Sequence, residues 1–169
     1  MFGLFKPRMA PEGPVEIEMD CAIARAASDV YPMVDFADPN HHKRAVGTIT
    51  RTGDTTFELV VDMAPGLVFP ITELEAAPPR VNTIESVLPP ELGAPLIKTV
   101  ERTKIEPLDE GSCTVTVKTT AYFRPMTMKQ YEEELRRIAI ACNNSLMKLK
   151  VHAEQGVDAV RAIEARQNA

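Results

Sequence analysis

The chain has 169 residues, 44% of them hydrophobic and 25% charged, which fits one ordinary globular domain and excludes fibrous and intrinsically disordered classes. Its formal net charge is −5, with aromatics at 5% and no Trp, so it lacks both the basic patch and the stacking residues of a nucleic-acid binder. No window approaches the apolar length of a membrane span.

The three cysteines, Cys21, Cys113 and Cys142, are far apart and show no C-x-x-C spacing. Neither a disulfide scaffold nor a zinc site is expected; the thiols read as buried and free, in a reducing cytoplasm. Residues 1–14 read as a flexible tail whose Phe2, Leu4 and Phe5 are loosely docked, the alternative being a small membrane or partner anchor. They lack the basic start and apolar run of a secretory signal.

From Val15 to Ala24 apolar residues alternate with Glu16, Glu18 and Asp20, the pattern of a half-buried strand. Ser28 is the expected N-cap of a short helix, with Val30, Val34 and Phe36 inward and Pro32 in its first turn. Asp38-Pro39-Asn40 ends it, and His41-His42-Lys43 forms a second short turn.

Six strands are then predicted: Arg44–Arg51, Thr56–Met63, Leu67–Glu75, Val81–Leu88, Ile97–Glu106 and Ser112–Arg124. Turns such as Thr52-Gly53-Asp54 and Ala64-Pro65-Gly66 separate them. Every connection is too short for a parallel crossover, so the strands should pair as an antiparallel meander. Phe57, Leu59, Val61 and Met63 mark one inner face; Cys113, Val115, Val117 and Ala121 mark another.

From Thr127 the period changes from 2 to 3.6. Tyr131, Leu135, Ile138, Cys142, Leu146, Leu149 and Ala153 recur at helical steps, with Glu132-Glu133-Glu134 assigned to the first turns. A helix from Thr127 to Gln155 would be about 43 Å long, against a radius of gyration of about 15 Å for such a domain. Gly156 is its expected stop. Residues 156–169 form a C-terminal helical extension with Val157, Val160 and Ile163 on one stripe; it folds back or extends, or alternatively makes a homodimer contact.

This order resembles the START-like helix-grip superfamily, also called SRPBCC or birch-allergen-like. Three stretches carry the resemblance: the opening strand followed by Ala26-Ala27-Ser28-Asp29-Val30-Tyr31, the hairpin Ile105–Val115, and the terminal helix with Leu146-Met147-Lys148-Leu149-Lys150. The superfamily's tryptophan after the second short helix is absent. The resemblance implies an α+β domain over residues 15–155. Its curved antiparallel sheet has about seven strands, two short helices follow the first strand, and one long C-terminal helix crosses the concave face. It also implies a cavity for a small hydrophobic ligand such as a lipid, quinone or polyketide. Some members of the superfamily are carriers, others aromatase/cyclases and others co-chaperones, so the fold does not choose among them.

On such a cavity the candidate ligand-contacting residues are Tyr31, Phe57, Leu59, Val61, Phe69, Val117, Thr119, Tyr122, Ile138, Cys142 and Leu146. Asn143 is a further polar candidate, with Arg124 at a cavity mouth. Glu101 is expected on the surface, paired near Arg102 or Lys104, because an unpartnered buried carboxylate is costly. His41 and His42, being adjacent, should diverge, and His152 reads as a boundary residue beside the apolar stripe. There is no nucleophile elbow or phosphate-binding glycine loop. No catalytic residue, metal or cofactor is assigned. Ligand binding is the leading reading, with a polyketide cyclase/aromatase-type enzyme or a protein-interaction module as alternatives.

Overall fold

The structure, a computed structural model, describes residues 7–167. The Phe2-Leu4-Phe5 tail lies outside the described residues.

Seven strands form one antiparallel sheet: β1 (Val15–Ile23), β2 (Gly47–Arg51), β3 (Thr56–Val61), β4 (Phe69–Ala77), β5 (Val81–Val87), β6 (Leu96–Pro107) and β7 (Cys113–Phe123). Their order is β1-β7-β6-β5-β4-β3-β2. β2 to β7 are the meander the short turns require, and β1 returns to pair with β7. Between β1 and β2 lie helix α1 (Ala27–Val30) and two short 3₁₀ turns, Tyr31–Met33 and His42–Ala45. Helix α2 (Met128–Gln155) and helix α3 (Val157–Gln167) close the chain. This is the helix-grip architecture.

The chemistry of individual residues moves several expected boundaries. Arg44 to Val46 do not join β2, because the backbone closes into a 3₁₀ turn with His41 as its cap: His41 Nδ1 accepts from Lys43 N–H at 3.1 Å. β3 ends at Val61, and Met63 is 68% exposed in the turn beyond it rather than inside. Ser28 is not the N-cap of α1. The first turn closes on the Ala26 carbonyl, which accepts from Asp29 N–H and Val30 N–H, and burial of Ala27 and Val30 turns Ser28 outward.

α2 begins with a capping box. Thr127 Oγ1 accepts from Gln130 N–H, and Gln130 Oε1 accepts from Thr127 N–H. The first turn carries no acid: Glu132-Glu133-Glu134 start one turn later, where the dipole is weaker. Neither end of α2 is loose. Arg8–Ala10, expected as flexible tail, bond across its start: Met128 N–H donates to Arg8 O at 2.8 Å and Ala10 N–H to Met126 O at 3.0 Å. At the far end Ala24 N–H donates to Glu154 Oε1 at 2.8 Å, and Arg25 Nε donates to Ala153 O at 2.9 Å.

Gly156 separates α2 from α3 at φ 89°, a conformation that side chains resist. α3 folds back on its own chain. Val160 is 1% exposed, and Glu164 pairs with Lys148 of α2.

Two apolar clusters fill the interior. One joins β1, β6, β7 and α1 to the C-terminal half of α2, through Ile23, Val30, Ile105, Val115, Leu146 and Leu149. The other joins β2 to β5 around Phe36, with Ile49, Phe57, Leu59, Ile71 and Ile84.

Candidate functional site

A polar seam separates the two clusters. It is lined by Phe36 and Ile84 from one cluster and Val34, Leu146 and Leu149 from the other. His41, Asn82, Glu101, Thr103, Cys142 and Ser145 also face it. The strand period places these residues. Glu101, Thr103 and Ile105 share one face of β6, opposite Thr119, Val117 and Val115 of β7. The enclosed volume is about 20 Å³, room for one water.

The side chains around this chamber are largely tied down. Asn82 Nδ2 donates to Glu73 Oε2 at 3.1 Å, and Tyr31 Oη donates to Val81 O at 3.2 Å. Cys142 Sγ donates to Thr119 Oγ1 at 3.5 Å. Burial pushes the Cys142 thiol up, only partly offset by that hydrogen bond, so it stays protonated at neutral pH. Tyr31 is likewise raised, by burial first and then by Asp35.

His41 and His42 line this chamber, and His152 lies next to His42 but borders a separate cleft with Arg25, Met33 and Gly156. The His41 ring is 1% exposed and tilted against Phe36 at 4.2 Å between centroids. The rings of His41 and His42 do not diverge; they stack at 5.0 Å and 28°, at the junction where the extended cap residue His41 leads into the 3₁₀ turn that begins at His42. Burial lowers both imidazoles well below the ordinary value of 6.5. For His41 the nearby His42, Lys43 and Arg44 add to this; for His42, Lys43 and His152 do. His152 is not at a boundary but 9% exposed, with Nδ1 unpartnered; burial lowers its pKa, opposed by a hydrogen bond to the His42 backbone. At neutral pH His41 and His42 are neutral imidazoles in one chamber with a protonated thiol, a set that can accept or donate hydrogen bonds but holds no ready thiolate. No group of three or more His, Cys, Asp or Glu among the described residues is placed to hold a metal ion.

Outward from the chamber, past His42, Lys43 and Ser145, lies a groove of about 290 Å³. Its walls are Val46, Leu59 and Val61 on one side and Ala141 and Val160 on the other, with Asn144 and Lys148 also facing it. α3 therefore completes the site by supplying Val160. A second cleft of about 290 Å³ lies by the N-terminal segment, between Met9–Gly13 and Phe123–Met126 with Tyr131.

Of the sequence-predicted site residues, Val117, Cys142 and Leu146 face the chamber, and Leu59 and Val61 face the groove. Thr119 is 2% exposed behind Cys142. Ile138 is buried on the inner side of α2, Phe57 packs in the second cluster against Phe36, and Phe69 flanks that cluster. Tyr31 belongs to the first cluster. Tyr122 faces the other way: it alternates with Ala121, which is fully buried, and lies under Lys98 Nζ on the convex side, 5.0 Å from its ring centroid. Asn143 is exposed, one helical step off the inner stripe, and Arg124 lies at the N-terminal cleft.

The sequence reading missed His41, His42, Asn82 and Glu101. Glu101 is half-buried on the concave face, while Arg102 pairs with Glu75 and Lys104 with Glu106. Its neighbours gave the signal, since Glu101, Thr103 and Ile105 alternate with the charged Arg102 and Lys104. Asn82 and Ile84 show the same period in β5.

No family model matches the sequence, and no curated protein matches it. The fold has many counterparts among solved structures. Norcoclaurine synthase from Thalictrum flavum, a point mutant in complex with a transition-state analogue, superposes with a TM-score of 0.60 at 10% identity, covering 95% of this chain and 99% of its own. Ara h 8.0201 gives 0.64 at 8% identity, over 83% and 98%. The Zhui aromatase/cyclase from Streptomyces sp. R1128 gives 0.59 at 15% identity, over 83% and 94%. At these identities the likeness establishes one thing, that the chain has the helix-grip fold shared by these proteins.

Proposed function

We propose that the protein binds a small apolar ligand, of lipid, quinone or polyketide-like character, between the sheet and α2. The observation that carries this reading is the groove bounded by Val46, Leu59, Val61, Ala141 and Val160, which continues inward to the polar chamber. Its volume of about 290 Å³ sits at the small end of ligand sites, and apolar walls with a few convergent polar groups are what such sites present. The chamber offers Asn82, Thr103 and the neutral histidines as groups that orient a ligand's polar end. The three free cysteines suit a reducing compartment such as the cytoplasm. Because Val160 is committed to the chain's own fold, a homodimer through the extension would use the outer face of α3.

Titration with the neutral fluorophore N-phenyl-1-naphthylamine tests the reading. The protein should enhance its fluorescence, and Val61→Trp, which fills the groove, should weaken binding by about tenfold or more. Binding that Val61→Trp leaves untouched would contradict the reading.

A second reading, an enzyme of cyclase type, draws on a different observation: Glu101, His41 and His42 line one chamber, as acid–base chemistry needs. Turnover of an aromatic polyketide that Glu101→Gln and His41→Asn each abolish would favour it; turnover unchanged in both would sink it.

A further inference from the structure

The walls and the rim of the groove differ in chemistry. The walls are aliphatic, whereas the rim carries Lys43 and Lys148. Lys148 is already neutralised, because Glu164 of α3 pairs with it and both side chains are largely covered, at 22% and 13% exposure. Lys43 differs: among the described residues it enters no ion pair. It is half-buried and borders both chamber and groove. Arg44, its neighbour, is committed elsewhere, donating to the carbonyls of Asp38 and Ile49. Glu101 lines the same chamber but forms no ion pair with Lys43. A half-buried ammonium held by no ion pair carries an unrecovered desolvation cost, which an arriving anion would offset.

We infer that the groove's ligand is an amphiphile with a single carboxylate, its head at Lys43 and its apolar body along Leu59, Val61 and Val160. The charge count selects the head. One unpaired ammonium beside one already paired matches a single negative charge. A phosphate's second charge would find no free ammonium at the rim, because Lys148 is already paired with Glu164, and Lys binds as a point charge rather than as a fork. An amine head would meet the unpaired Lys43 ammonium and be repelled. The inference rests on the binding reading above and adds the ligand class to it.

Calorimetric titration with octanoate, octanol and octylamine at pH 7.5 tests it. Octanoate is expected to bind about tenfold more tightly than octanol, with octylamine weakest. In Lys43→Gln the preference of octanoate over octanol should vanish, whereas in Lys98→Gln, on the convex face, it should persist. Equal binding of octanoate and octanol to the unaltered protein overturns this inference and leaves the apolar site standing. A preference that survives Lys43→Gln also overturns it. Binding of none of the three overturns the proposed function, and this inference with it.

Discussion

His41 shows how one residue joins the fold to the site. Its imidazole caps the 3₁₀ turn, packs on Phe36 and borders the chamber, and all three roles require it buried and neutral. The groups around it are His42, Lys43, Arg44 and His152, with Lys148 beside His42. All are neutral or positive, apart from Glu101 on the facing strand. The folded pKa therefore lies below the unfolded value of 6.5. As pH falls below 6.5 the unfolded chain takes up protons that the folded rings refuse, so stability is full above that value and declines below it. Urea unfolding at pH 7.5 and 5.5 should show this loss. His41→Asn keeps an acceptor for Lys43 N–H but does not titrate, so its loss should be smaller by about 1 kcal/mol. An equal loss in both proteins would contradict the neutral, buried assignment. None of this was legible from composition, because adjacent side chains are driven to opposite faces only in a strand, and His41 and His42 sit at the entry to a turn. Tyr122 and Asn143 failed for a related reason: one residue of offset moves a side chain to the opposite face of a strand, or about 100° around a helix.

At the scale of elements, α2 was the most legible part of the sequence. Its stripe of Ile138, Leu146, Leu149 and Ala153 is buried as the 3.6 period requires. Its boundaries are set by local chemistry, Thr127 with Gln130 at one end and Gly156 at the other. Thr127→Ala removes the hydroxyl half of the capping box and should cost about 1 kcal/mol. Gly156→Ala has open space around the added methyl but a φ of 89° to maintain, and should cost about 1–2 kcal/mol. Denaturant midpoints of the two variants measure both, and a neutral Gly156→Ala would mean that the backbone there relaxes. The packing of α3 was less legible. Its stripe of Val157, Val160 and Ile163 fits folding back and pairing with a second copy equally well in one dimension. What decides is Lys148, on the last turns of α2, which meets Glu164 only because the chain turns back at Gly156.

Across the whole molecule, the turn lengths sufficed for the meander and hence for the sheet order. They did not reveal how full the interior is. The space under α2 depends on side-chain volumes contributed by strands far apart in sequence, and these leave a water-sized chamber with an adjoining groove. The central claim is that an apolar ligand enters that groove. Methyl NMR during titration with N-phenyl-1-naphthylamine tests it most directly. The largest shifts are expected on Val46, Leu59, Val61 and Val160. Shifts centred instead on Met9 and Met126, at the N-terminal cleft, or no shifts at all, would contradict it.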